Sequence, residues 1–276
     1  MKNENLRSAI VLCGGESRRM GQDKGSMIIN KKPMILHILQ TLNTQIDEVI
    51  LVLNDIERIA NYQKIIQNYF NNNVLVEFSY DLIFLEDEIK GHGPLSGIMT
   101  GLENVSSNYA LVLPCDSPFV DINFVNFMFD RLNKTLASNF HNINVNNNIN
   151  NSYNSNNNNN NNNLKNNHID DLNVIDAIVP YHYKNKESNQ NSTFKYSNNS
   201  NNSFFLNNEN EIIKNFLLNN CEPLHSIYKK NNYKKIRKLL NSNIYDVKSL
   251  LTNINSYFLL IDNENSFKNL NTKEDI

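Results

Sequence analysis

Apolar residues fall along this chain in short blocks of two kinds. Ser8 to Cys13 and Glu48 to Leu53 (EVILVL) are compact apolar runs bounded by polar residues, the pattern of strands buried on both faces. Between them Met34, Ile35, Ile38, Leu39 and Leu42 repeat at helical spacing behind Pro33, a residue suited to a helix's first turn. The alternation continues with a helix at 56–70, a strand at 74–78, a helix from Pro94 to about Val105, a strand at Tyr109–Leu113 and a helix from about Asn123 to Leu136. Further on come strands at Ile175–Pro180 and Leu224–Tyr228, a Lys-rich helix at 231–240 and a strand at Tyr257–Ile261. Such alternation predicts an α/β domain, a mostly parallel sheet with helices on both faces, and ligands binding beyond the strands' carboxyl ends.

Two asparagine-rich stretches interrupt the pattern: Asn139 to Asn167, with an unbroken run from Asn156 to Asn163, and Asn185 to Asn220. Segments without apolar periodicity bury too little area to offset their ordering entropy, which predicts disordered insertions at about 138–173 and 184–222. Setting these aside leaves 201 of 276 residues, one ordinary domain spanning 1–276. Ala, Pro, Arg and Trp are also scarce (5, 6, 6 and 0), so the bias belongs to the whole chain and reads as expanded surface loops rather than a self-associating module.

Charge narrows the class of partner. The 26 Lys+Arg against 28 Asp+Glu give −2, without the positive excess that nucleic acid or an anionic membrane demands. Cys13, Cys115 and Cys221 are too dispersed for a disulfide scaffold or a thiolate zinc site. With no apolar run of membrane-span length and only a six-residue apolar stretch near the N-terminus, too short for a signal segment, the expectation is a cytoplasmic protein.

Glycine then locates the chemistry. All eight lie in two clusters, Gly14, Gly15, Gly21 and Gly25, then Gly91, Gly93, Gly97 and Gly101. Glycine lets a ligand approach the backbone without a Cβ in the way. The loop after the first strand, LCGGESRRMGQDKGS, has neither GxxxxGK[ST] nor GxGxxG, which argues against a kinase or dehydrogenase. It does combine glycines with Arg18, Arg19 and Lys24, a set suited to a triphosphate. Asp116 stands directly beyond a strongly apolar strand; Pro114 and Pro118 bracket it, favouring a hard oxygen ligand for Mg²⁺ over a cap for the helix starting near Asp121. His92 and His225 have no evident acidic partner and are assigned no catalytic part.

The segment LCGGESRRMGQDK resembles the LAGGxSxRMGxDK signature of the molybdenum cofactor guanylyltransferases. GHGPLSGI at 91–98, LPCDSPF at 113–119, PLHSIY at 223–228 and FKNLNTKEDI at 267–276 resemble that family's other motifs, in order. The resemblance implies a Rossmann-like three-layer α/β/α nucleotidyltransferase fold. It further implies transfer of GMP from GTP to the terminal phosphate of molybdopterin, with release of pyrophosphate. By motif position, Leu12, Cys13, Gly14 and Gly15 would meet the guanine and ribose, with Asn54 and Asp87 as further GTP contacts; Asp81 competes with Asp87. Lys24 and Arg19 would neutralise phosphate charge, Asp116 would hold Mg²⁺, and Asn269 and Asn271 would lie near the pterin. Implied partners are GTP, molybdopterin or its molybdenum form, and molybdoenzyme maturation proteins. Cys13 stands where the family usually has Ala, and Lys273 where it has Pro. The rival readings are a cytidylyltransferase for the same cofactor or a sugar-phosphate nucleotidyltransferase. The second Gly of the Gly14-Gly15 pair belongs to a triplet that favours guanine, because relatives using CTP commonly carry Ala-Ala-Gly where this chain reads Cys13-Gly14-Gly15.

Overall fold

The computed structural model describes residues 6–14, 23–72, 77–154, 175–182, 203–261 and Phe267, with backbone alone over 139–154. In chain order the elements are β1 (Ser8–Leu12), the short pair β2 (Ile28–Ile29) and β3 (Lys32–Pro33), α1 (Met34–Leu42), β4 (Glu48–Leu53), α2 (Ile56–Asn72), β5 (Asp81–Glu86), α3 (Pro94–Asn104), β6 (Tyr109–Pro114) and α4 (Ile122–Asn154). There follow β7 (Ala177–Tyr181), β8 (Ser203–Phe205), α5 (Glu211–Asn220), β9 (Ile227–Lys229), α6 (Asn232–Asn241), α7 (Val247–Thr252) and β10 (Ser256–Leu260).

The described residues form an eight-stranded sheet in the order β5-β4-β1-β6-β9-β7-β10-β8. β5, β4, β1 and β6 run parallel, as do β7 and β10; β9 runs antiparallel to β6 and β7, and β8 antiparallel to β10. The two-residue alternation of strand side chains divides the core. Ala9 and Val11 face a layer formed with α1, α2 and α4, whereas Ile10 and Leu12 face one formed with α3, α5, α6 and α7. The three-layer α/β/α expectation therefore holds. Buried Glu48 fastens the amino ends, accepting from Ser8 Oγ at 2.7 Å and from the Ser106 amide at 2.9 Å.

Four expectations need correction. The strand placed at 74–78 lies instead at Asp81–Glu86; residues 73–76 fall outside the described ones, and DLIFLE is the segment in register with β4, Glu48 opposite Asp81 and Leu53 opposite Glu86. Within PLHSIY, the prolyl start coils Pro223–His225 into a 3₁₀ turn, and only Ile227–Lys229 is strand. The stretch 184–222 is ordered from Ser203, because Phe204 and Leu206, with Ile213, Phe216 and Leu217, supply one apolar face and Phe205 packs into the other layer; Leu206 and Leu217 are fully buried. In the first stretch the α4 backbone continues to Asn154, since no Gly or Pro interrupts 121–154.

Candidate active site

The order of the strands creates the site. From β1 the chain steps outward through β4 to β5, then returns across β1 to β6, so the direction reverses between β1 and β6. Above such a reversal the connecting loops diverge and leave a crevice at the carboxyl ends. Hydrogen bonds beyond the named strands carry the ladder into it: Cys13 N–H to Val52 C=O (2.8 Å), Cys115 N–H to Leu12 C=O (3.0 Å) and Asp87 N–H to Leu53 C=O (2.7 Å). Leu12, Cys13, Gly14, Asn54, Asp87 and Asp116 thereby come to one edge, although 104 positions separate the first from the last.

These bonds also decide which backbone groups are available. Leu12 C=O and Cys13 N–H are used within the sheet, so the Cys13 carbonyl and the Gly14 amide are the groups lying beyond its last rung. The Cys13 side chain turns into the core, where burial and the neighbouring Cys115 thiol push its pKa well up. Cys in place of Ala thus leaves the crevice face unchanged. A Cβ on Gly14 would lie 2.5 Å from Asn54 Oδ1, so this glycine allows β1 and the residue after β4 to close on each other.

Lys24 arrives from the opposite wall. It opens a 3₁₀ turn, Lys24–Ser26, and its Nζ lies 2.7 Å from Asp116 Oδ2. Both side chains are largely buried, 24% and 15% exposed, so water screens this ion pair less than a surface one. The turn rests on α2. Arg58 lies 4.0 Å from Asp23 Oδ1, and the buried Tyr62 hydroxyl lies 2.1 Å from where a Cβ on Gly25 would be. No spacing in the sequence pointed to Asp23, Arg58 or Tyr62.

Asp87 sits at the carboxyl edge, whereas Asp81 begins the same strand at the far end, opposite Glu48. Only Asp87 can reach the crevice. It is 8% exposed, and burial raises its pKa against the opposing pull of the Ser96 and Thr100 hydroxyls. Both hydroxyls belong to α3, whose start is set by Gly93 at φ 71°, with Pro94 as the first helical residue. Gly97 lets that helix approach β1: a Cβ there would meet Leu12 Cδ2 at 3.0 Å.

The helix cap considered for Asp116 belongs to Asp121, whose Oδ1 accepts from Phe124 N–H at 2.9 Å. Asp116 is left for other work. Among the described residues no three His, Cys, Asp or Glu side chains converge as a metal cage. A single carboxylate at a crevice nonetheless suits Mg²⁺, which keeps waters and is commonly held by one or two carboxylates together with substrate phosphates. Gly15, Arg19, Asn269 and Asn271 lie outside the described residues. No helix among the described residues is long and apolar enough to cross a membrane.

The chain is similar to several known proteins. A probable molybdenum cofactor guanylyltransferase of Methanothermobacter thermautotrophicus is 38% identical over 120 residues, 44% of this chain and 55% of that protein. The molybdenum cofactor guanylyltransferase of Pasteurella multocida is 40% identical over 113 residues, 41% of this chain and 51% of that protein. The chain thus matches about half the length of these curated relatives. Among solved structures, molybdopterin-guanine dinucleotide biosynthesis protein A of Archaeoglobus fulgidus superposes with a TM-score of 0.57 at 17% identity, covering 97% of this chain and 94% of that one. A 4-diphosphocytidyl-2C-methyl-D-erythritol synthase of Anaerococcus prevotii gives 0.56 at 14% identity, covering 99% and 94%. Both show the shared fold. The model of the MobA-like NTP transferase domain matches residues 9–150, just over half of the chain and the half that carries Lys24, Asn54, Asp87 and Asp116. The chain belongs to the MobA-like NTP transferase domain family.

Proposed function

We propose that this protein transfers GMP from GTP to the terminal phosphate of molybdopterin, forming molybdopterin guanine dinucleotide and pyrophosphate. The observation that carries the proposal is the Lys24–Asp116 pair, held at 2.7 Å beside the carboxyl end of β1. A cation and an anion poised together there can engage a metal–triphosphate from both sides. The names of the curated relatives support guanine and the molybdenum cofactor as the specific reactants.

The chemistry asked of the residues is modest. An oxygen of the acceptor phosphate attacks the α-phosphorus of GTP, and the bond to the bridging oxygen of pyrophosphate breaks in line. The acceptor is already largely ionised at pH 7, so no general base is needed. The obstacle is repulsion between anions. In this reading Lys24 and Arg19 neutralise phosphate oxygens; losing one such group costs about 3–4 kcal/mol, or 10²–10³-fold in rate. Asp116 would hold Mg²⁺, which when bound would offset the negative charge of the phosphates. In this reading the Cys13 carbonyl, Gly14 and Gly15 would meet the nucleoside, with Leu12 beneath them in the sheet, and Asn54 and Asp87 would be further GTP contacts. Asn269 and Asn271 belong to the acceptor side, and a cytosolic site of action belongs to the same proposal.

Turnover provides the test. Purified protein supplied with Mg²⁺, GTP and molybdopterin should release pyrophosphate only when both substrates are present. Pyrophosphate formed equally well from CTP would transfer the assignment to the cytidylyl relatives.

A further inference from the structure

The turn that carries Asp116 leans on a histidine for which the chemistry above has no use. β6 ends at Pro114, and the chain turns through Cys115 and Asp116 into Ser117, which is fully buried. Two backbone bonds close this turn, Ser117 N–H to Pro114 C=O at 3.4 Å and Val120 N–H to Ser117 C=O at 3.3 Å. Both are long for N–H···O bonds, so beyond Cys115, whose N–H is held by Leu12 C=O at 3.0 Å, the turn's shape depends on what holds the side chains. His225, on the 3₁₀ turn before β9, places its Nε2 3.0 Å from Ser117 Oγ.

The imidazole is confined. It is 1% exposed, and Phe124 and Phe267 meet it edge-on at 6.4 Å and 5.2 Å between ring centres. Burial and the nearby His182 hold its pKa down at about 3, so it is neutral at working pH. A neutral ring has one N–H and one lone pair, and in either tautomer Nε2 makes one hydrogen bond with the Ser117 hydroxyl. Its Nδ1 is buried with no hydrogen-bond partner among the described residues. An unsatisfied buried polar atom is costly, and an apolar side chain of similar size would avoid that cost. The histidine's polar contribution at this site is therefore the bond to Ser117.

We propose that His225 is a positioning residue: through Ser117 it fixes the turn bearing Asp116, and so sets where that carboxylate meets a nucleotide-bound divalent cation. The proposal rests on the nucleotidyltransferase reading. Groups hydrogen-bonded to a metal's ligand orient it, and their loss typically costs about 10–100-fold in metal affinity; His225 and Ser117 act on Asp116 one bond further out, through the backbone of the turn.

The test reads metal affinity rather than turnover. Free Mn²⁺ is measured by electron paramagnetic resonance in the presence of the α,β-methylene analogue of GTP, for wild type, Ser117→Ala, His225→Leu, His225→Gln and the double variant Ser117→Ala/His225→Leu. Ser117→Ala and His225→Leu should each weaken Mn²⁺ about 10–100-fold, while analogue binding without metal stays within about twofold. His225→Gln, whose amide can still bond to the hydroxyl, should recover most of the loss, and the double variant should be no worse than the weaker single one. Should the His225 variants not fold, Ser117→Ala decides alone. Wild-type Mn²⁺ affinity in Ser117→Ala, or additive losses in the double variant, would overturn the positioning role while leaving the nucleotidyltransferase reading in place. Absence of Mn²⁺ binding to wild type with the analogue would overturn both.

Discussion

At the scale of single residues, the site depends on contacts that bring distant positions together. Gly14 stood out in the sequence because glycine is scarce, and Lys24, Asn54 and Asp116 because they lie in or beside ordered motifs. Tyr62 did not, since a tyrosine at a helical apolar position looks like any core residue. Its role appears only when the chain folds its hydroxyl against Gly25. Gly25→Ala should therefore move the Lys24 turn, destabilising the protein by about 1–3 kcal/mol through overpacking and weakening GTP binding. Thermal unfolding and GTP titration on that variant check this, and unchanged values for both would contradict it. His225 was illegible for a similar reason, its partner Ser117 lying 108 positions earlier. Because the native ring stays neutral down to about pH 3, the unfolded chain takes up a proton below about pH 6.5 that the folded one does not. Stability contributed by the neutral ring is therefore present above that pH and lost progressively as pH falls toward 3, by up to about 1.4 kcal/mol per unit. Urea unfolding of wild type and His225→Gln between pH 7 and 5 should show the shallower pH dependence in the variant.

At the scale of elements, periodicity located most strands and helices, and its failures have physical causes. VLVEF at 74–78 and DLIFLE at 81–86 are both plausible strands by composition, and only register against β4 selects the second. That choice also separates the two candidate carboxylates, sending Asp81 to the amino edge and Asp87 to the crevice. The asparagine bias hid α5, because apolar residues spaced among asparagines carry a weak signal. Yet Asn210 caps that helix, its Oδ1 accepting from Ile213 N–H at 3.0 Å, and Leu217 is buried. Leu217→Ala should cost about 2–5 kcal/mol and Asn210→Ala about 1 kcal/mol in chemical denaturation. Losses near zero for both would return this stretch to the status of a passive insertion.

At the scale of the whole molecule, a sheet whose strand order reverses between the parallel β1 and β6 gathers four loops over one edge, and the Lys24–Asp116 pair stands among them. The layering was legible because parallel strands buried on both faces read as unbroken apolar runs. β9 was read as a strand at Leu224–Tyr228, but its short extent and antiparallel direction were not legible, since a three-residue strand entered from a 3₁₀ turn leaves little pattern. The central claim is that this edge binds a guanine nucleotide through Lys24 and a metal at Asp116. Isothermal titration of the protein with GTP, CTP and ATP in Mg²⁺, repeated on Lys24→Ala and Asp116→Ala, tests it most directly. The account predicts GTP-selective binding, weakened in Lys24→Ala and stripped of its Mg²⁺ dependence in Asp116→Ala; equal binding of all three nucleotides, or affinities untouched by either substitution, would contradict it.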